Sequence, residues 1–322
     1  MKAAVIYEAG GPEKLLIQEV ARPDVKEGWS LIKVIGRGIN HSEIFTRKGE
    51  SPSVKFPRIL GIECVGVVEE STSPTLVKGQ KVVSLMGEMG RAFDGSYAEY
   101  CLLPNEQIYP IESNLSWEEI AAVPETYYTA YLSLMNLKIN EEDSVLVRAA
   151  TSGVGFAFLK LLKGKYPHIH VTGTTRNIEK MELLLESGFD DVIIDYQNEL
   201  QTSKKYDKIL DLVGPAALKN TFKHINQSGI ICVTGLLGNQ WSFDFEPLVD
   251  MPGSVYLTTA LSADRNEKEM NDLFAYIENY HINVKPEKIF TLDTIVEAHR
   301  YLESLNSFGK VVVMGGHEYE NN

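Results

Sequence analysis

The chain lacks any apolar run approaching the ~20 residues that a bilayer span needs. Its opening residues, Met1-Lys2-Ala3-Ala4-Val5-Ile6-Tyr7-Glu8, return to charge at once and read as a strand rather than a targeting leader. A soluble, cytoplasmic protein is the expectation. Positive charge is in short supply: 31 lysines and arginines face 44 aspartates and glutamates, a formal net charge of −13. Nucleic acid and anionic membranes repel such a chain as a whole, so neither is expected as a partner. An anionic ligand must then be met by local positive groups. Cysteine is scarce too. Cys64, Cys101 and Cys232 lie far apart inside apolar runs with no C-x-x-C pair, and they read as small buried hydrophobes rather than a redox pair. Internal repeats, low-complexity segments and charged tails are absent.

What remains is an ordinary well-packed composition, 44% hydrophobic and 23% charged over 322 residues. At roughly 100 to 200 residues per domain, that length suggests two domains. The most telling stretch runs from Ser144 to Gly155, an apolar strand entering a turn of small residues and then a helix. Such a turn brings backbone N–H groups to a helix N-terminus, where the dipole favours an anion, so a dinucleotide pyrophosphate is the natural ligand. The full G-x-G-x-x-G pattern is incomplete. Its slots hold Ala150, Ser152 and Gly155, with Gly153 alongside, and small-residue turns also join strands to helices for packing reasons alone.

The surroundings strengthen the nucleotide reading. A helix is expected over Phe156 to Lys163, a strand over His170 to Thr175, and a second helix over Asn177 to Ser187 with Asn177 as N-cap. Strand-like runs follow at Asp191 to Asp195, Lys208 to Val213 and Gly229 to Thr234, at the spacing of repeated βα units. That pattern predicts an α/β fold with a doubly wound parallel sheet, a Rossmann domain over residues 124–264. The first 123 residues have a different texture, with short alternating runs punctuated by Gly, Pro and Ser, as in a small β-barrel or sandwich. Ser116-Trp117-Glu118-Glu119 has the spacing of a capping box opening a helix through Val123. Helical periodicity returns at Glu267 to Tyr280 and Thr294 to Ser304, before a strand at Lys310 to Met314. Nothing so short folds alone, so 265–322 is expected to complete the N-terminal domain. The polar end, His317 to Asn322, is expected to fray.

Across its whole length the chain resembles the medium-chain dehydrogenase/reductase superfamily, and within it the zinc-independent quinone oxidoreductases, the zeta-crystallin-like branch. The landmarks are Met1 to Tyr7, Gly38-Ile39-Asn40, Pro57 to Val68, Asp94 to Tyr100, Ala149 to Gly155, Asp211-Leu212-Val213-Gly214, Glu297-Ala298-His299 and Gly309-Lys310-Val311. The resemblance implies a GroES-like β domain joined to the Rossmann domain, with the site in the cleft between them. It also locates a departure. Zinc-dependent members place a Cys where this chain has Asn40 and a His where it has Ile62. An amide and a butyl side chain cannot replace thiolate and imidazole, and the four-cysteine structural lobe is missing, so no metal is expected. Without a Lewis acid, the easier acceptors are already electron-poor, a quinone or an α,β-unsaturated carbonyl, with hydride drawn from a reduced nicotinamide.

Candidate roles follow residue by residue. Asn40 reads as a helix N-cap, and the resemblance puts it beside nicotinamide and substrate; Ser42 takes the slot of a proton-relaying hydroxyl. Glu43 is explained by the helix dipole alone, and Glu63 by anchoring a backbone or an arginine. The resemblance sets Thr129 against the nicotinamide carboxamide. Tyr127 and Tyr128 line a pocket or fill a core, and Tyr128 joins Asn40 and Ser42 as a catalytic candidate. Where an NAD enzyme carries an acid about 20 residues past the glycine turn, this chain reads Gly173-Thr174-Thr175-Arg176. An arginine there, with Lys180 one turn on, favours the 2′-phosphate of NADPH, although both also read as a solvated helix start. Ser152, Gly153, Val154, Gly155, Thr174, Tyr196, Gly214, Gly235, Leu236 and Lys310 complete the expected cofactor set, and His299 reads as structural.

The aromatic run Trp241 to Phe245 suggests a sheet edge that pairs across a homodimer. Two other readings stay open: a non-catalytic NADPH-binding sensor or crystallin-like protein, and a zinc-free alcohol dehydrogenase-like enzyme. A methyltransferase using the same turn is disfavoured by the β domain ahead of the sheet.

Overall fold

The computed structural model describes residues 1–304 and 307–315. The expected frayed end, His317 to Asn322, lies outside the described residues. The chain divides into two compact units, one of residues 1–126, 262–276 and 284 onward, the other of 127–261 and 277–283. The junctions fall at 126/127 and 261/262 where 123/124 and 264/265 were expected, and residues 277–283 join the second unit. Residues 277–283 belong to the second unit because Ile282 packs onto its helix Gly153–Lys165, close enough that a Cβ on Gly164 would fall 2.0 Å from the Ile282 Cδ1.

The first unit is built on β-sheet. Strand Lys2–Ile6 lies between Leu16–Glu19 and Arg58–Ile59 in a small antiparallel sheet. A larger sheet runs Lys288–Thr291, Val311–Met314, Trp29–Gly38, Glu63–Ser71, Lys81–Leu85, Tyr109–Pro110, and Tyr100–Pro104 also pairs with Trp29–Gly38. The C-terminal strand thus returns to the N-terminal sheet, Val312 lying opposite Gly38. Ala4, Ile6, Leu60, Tyr97 and Val313 are buried in one apolar cluster and Ile32, Val68, Val82 and Leu103 in another. Ser116 caps the helix Trp117–Ala122 in a complete capping box with Glu119. Pro124, tolerated at a first helical turn, opens the helix Pro124–Leu137, which the sequence reading did not assign.

The second unit is a doubly wound sheet. Its six parallel strands stand in the order Asp191–Tyr196, Val171–Thr175, Val145–Arg148, Tyr206–Asp211, Ile225–Val233, Tyr256–Thr259, and Glu199–Leu200 adds an antiparallel edge. In chain order that is 3-2-1-4-5-6, which puts the topological switch beside the first strand and a ligand crevice at the carboxyl ends. The expected second helix is broken into a 3₁₀ turn, Ile178–Lys180, and Met181–Glu186, with the Asn177 side chain accepting from Glu179 N–H at 2.9 Å.

One expectation fails. Trp241 to Phe245 is not a strand: Phe245 stacks on Phe222 at 5.7 Å and Phe243 lies 5.5 Å from Phe245, so the two phenylalanines serve core packing while Trp241 is exposed. The exposed sheet edge is Tyr256–Thr259 instead. Among the described residues no helix is long and apolar enough to cross a membrane.

Candidate functional site

The nucleotide-binding turn is built from the end of the strand Val145–Arg148. Ala149 adopts a left-handed conformation, φ 62°, and turns the chain sharply into the helix Gly153–Lys165. Ser152 is that helix's N-cap: its Oγ accepts from Gly155 N–H at 3.1 Å and donates to the Ala149 carbonyl at 2.8 Å. The N–H groups of Gly153 and Val154 stay at the positive end of a thirteen-residue helix. Gly155 is required by close packing, since a Cβ there would lie 2.9 Å from the Ala150 carbonyl oxygen and 3.0 Å from that of Ala149. The turn has the form a diphosphate needs.

The neighbouring strand ends supply the rest. Thr174 is fully buried, and its Oγ1 accepts from Ala149 N–H at 3.0 Å, so it braces the turn instead of reaching into the crevice. Arg176 is the first residue past Val171–Thr175, exposed and with no hydrogen bond or ion pair among the described residues. Lys180 follows on the 3₁₀ turn. Tyr196 ends its strand with its ring 62% exposed. Gly214 and Gly235 follow the fourth and fifth strands, their loops back to back, with Leu236 next. These carboxyl-edge residues are brought together on one side of one sheet.

Tyr128 is wholly buried on the helix Pro124–Leu137. Thr129 is mostly buried, its carbonyl accepting from Ser133 Oγ at 2.8 Å. The three cysteines are buried and unbridged. His299 is buried with Nε2 3.0 Å from Tyr97 Oη, and burial, then Arg47, hold its pKa down to about 3, so it is a neutral structural histidine.

The first unit contains a polar cluster of its own. Strand Trp29–Gly38 delivers the chain to Asn40, which opens the helix His41–Arg47, and Glu43 Oε2 reaches back to the Asn40 N–H at 3.1 Å. Lys310 Nζ donates to Asn40 Oδ1 at 2.7 Å and to Glu63 Oε1 at 2.6 Å, and Asn40 Nδ2 donates to the same Glu63 oxygen at 2.8 Å. The second Glu63 oxygen accepts from Glu125 N–H at 2.8 Å. Gly38 makes room: a Cβ there would fall 2.2 Å from Glu63 Oε1 and 2.3 Å from Lys310 Cε. Lys310 is paired with Glu63, and the buried Glu43 lies beside them, accepting from the Asn40 and Ile62 N–H groups. Burial, and then the Glu63 charge, push Glu43 up to about 8, with Lys310 pulling the other way. Ser42 stands beside this cluster, partly exposed, its Oγ taking a short hydrogen bond from an Arg91 Nη.

These residues do not fit a zinc ion. Ile62 offers no donor atom, and the oxygens of Asn40 and Glu63 are already held by an ammonium that repels a cation. Among the described residues no group of three or more His, Cys, Asp or Glu is disposed to hold a metal. Sequence reasoning missed Arg91 and gave Glu43 too small a part. The Asn40-x-x-Glu43 spacing marked the capping contact, but the tie from Lys310 to Glu63 spans 247 positions and leaves no local signal.

Comparison with known proteins adds two family matches, an "Alcohol dehydrogenase GroES-like domain" over residues 26–113 and a "Zinc-binding dehydrogenase" over residues 187–313. A quinone oxidoreductase from Pongo abelii is 26% identical over 331 residues, covering 98% of each chain. The chloroplastic NADPH-dependent alkenal/one oxidoreductase of Arabidopsis thaliana is 28% identical over 326 residues, covering 97% of this chain and 79% of that protein. Among solved structures, Bacillus subtilis protein yhfP with NAD bound superimposes with a TM-score of 0.83 at 24% identity, over 97% of this chain and 98% of that one.

Proposed function

The chain belongs to the medium-chain dehydrogenase/reductase superfamily, in its quinone oxidoreductase branch, and on that premise we propose a zinc-independent reductase that passes hydride from NADPH to a quinone or α,β-unsaturated carbonyl. The observation that carries this reading is the Ser152-capped turn at the carboxyl edge of the parallel sheet, with the unpartnered Arg176 just past the adjoining strand. An anionic diphosphate suits the first, and a 2′-phosphate suits the second. The names of the relatives supply the acceptor class.

When bound, NADPH supplies the hydride. The N–H groups of Gly153 and Val154 would take its diphosphate, Arg176 and Lys180 its 2′-phosphate, and Tyr196 its adenosine. Gly214, Gly235, Leu236, Thr129 and Lys310 are assigned to the nicotinamide end. Ser42 is the proton donor in this scheme. Because Arg91 donates to its oxygen, the serine's own proton is turned elsewhere, ready for the acceptor atom that gains charge as hydride adds, and solvent restores it. Asn40 has both ends of its amide engaged and acts as a positioning group. A cytoplasmic location and a homodimer across the Tyr256–Thr259 edge complete the reading.

The test is turnover. Purified protein is mixed with NADPH and 9,10-phenanthrenequinone, then with a panel of enones, and loss of reduced-nicotinamide absorbance is followed. Steady NADPH consumption supports the reading. Tight NADPH binding without oxidation across the whole panel overturns it in favour of a non-catalytic sensor.

A further inference from the structure

Arg148 is fully buried at the last position of the first parallel strand, and all five of its N–H groups are engaged. Nε and Nη2 clasp the Asp195 carboxylate at 2.7 and 3.1 Å. The remaining Nη2 bond goes to the Asn198 carbonyl at 2.6 Å, and Nη1 donates to the Ala217 carbonyl at 3.0 Å and Thr221 Oγ1 at 2.7 Å. Thr221 Oγ1 donates in turn to Asp211 Oδ2 at 2.5 Å, and Asp211 Oδ1 accepts from Val213 and Gly214 N–H, both at 2.9 Å. One guanidinium at the end of its own strand therefore ties together the segments that follow two others, Asp191–Tyr196 and Tyr206–Asp211.

Those loops are the ones that face a ligand in a sheet of this order. They are also where the backbone departs from ordinary conformations: Ala149, Gln197 and Asn198 have φ of 62°, 51° and 63°, values that side-chain-bearing residues seldom adopt. Gln197 and Asn198 come directly after Tyr196, so the bond to the Asn198 carbonyl and the clasp on Asp195 bracket that exposed ring on both sides. Apolar residues of similar volume often hold a core as well as a buried ion pair or better, so stability alone does not call for this fork.

Resting on the NADPH reading above, we infer that Arg148 is a positioning residue for the cofactor: through Asp195 and Asn198 it sets the turn that presents Tyr196 to the adenosine half. It touches no ligand itself. Its part is to hold the turn ready before the nucleotide arrives, so the cost of ordering it is not charged to binding.

The experiment measures binding of adenosine 2′,5′-bisphosphate and of NADPH by calorimetry, together with steady-state kinetics. Arg148→Met alone strands the buried Asp195 and risks unfolding, so it is run beside the double variant Arg148→Met/Asp195→Leu, which removes both charges and keeps the volume. In the double variant, Kd for the bisphosphate and KM for NADPH rise at least tenfold while kcat at saturating NADPH changes less than twofold. Unchanged bisphosphate affinity in the folded double variant overturns the inference and leaves the NADPH reading standing. A wild-type protein that binds neither nucleotide overturns both.

Discussion

Arg176 stands on the surface just past the strand Val171–Thr175 with no carboxylate on it among the described residues, and a cation at the start of a helical turn opposes the local dipole. A bound 2′-phosphate relieves that opposition. Arg176→Ala is expected to raise KM for NADPH by roughly tenfold, within the ~1–3 kcal/mol of a charge-assisted contact, and to leave NADH nearly unchanged. Equal effects on the two nucleotides show that Arg176 holds no phosphate. Glu43 is in the opposite situation, sealed in with Glu63 and a single ammonium. Its pKa of about 8 exceeds the ordinary 4.5, so between those values the native state keeps a proton that the unfolded chain has released. Stability therefore falls as pH rises through that window. Glu43→Gln removes this loss, and its melting temperature, relative to wild type, should climb from pH 4.5 to about 8; parallel curves contradict the assignment. Arg176 was legible in the sequence because it sits at a fixed offset from the small-residue turn. Glu43's burial was not, because Glu63, on the strand Glu63–Ser71, and Lys310, just before Val311–Met314, are brought near it only by the fold.

The decisive element is the strand Val145–Arg148 with its turn and the helix Gly153–Lys165. Its sequence announced it through an apolar run, small residues and a serine at the cap. The helix begins three residues earlier than periodicity suggests, since Gly153 and Gly155 carry no apolar signal yet sit inside the first turn. Gly155→Ala would drive a methyl into the Ala149 and Ala150 carbonyls, and a loss of about 1–3 kcal/mol is expected from the overpacking. Chemical denaturation reads the stability, and NADPH affinity should drop with it; a variant of wild-type stability means the turn relaxes more easily than its contacts imply. The strand Tyr256–Thr259 escaped notice because four residues of mixed polarity give too short a pattern to read. Trp241 to Phe245 misled for the converse reason, since alternating aromatics resemble a strand whether they line a sheet or cap a core.

For the molecule as a whole, the order of the parallel strands follows from repeated βα units and right-handed crossovers, so the sheet was foreseeable. The return of Val311–Met314 to Trp29–Gly38 was also foreseeable, because so short a tail has no core of its own. Self-association is argued from the sheet's edge: Tyr256 is 63% exposed and Leu261 55% exposed on and beside a strand with one side unpaired. Wild-type protein is expected to sediment as a dimer and Tyr256→Lys as a monomer, a lysine on an edge being unfavourable to strand pairing. A wild-type monomer at working concentrations rejects the dimer.

The most direct test of metal-free reduction is the turnover of protein dialysed against a strong chelator and assayed with NADPH and 9,10-phenanthrenequinone. With Lys310 holding Glu63 and Asn40, activity should be the same before and after dialysis, and added zinc should not raise it. Activity that disappears with the chelator and returns with stoichiometric zinc contradicts the account.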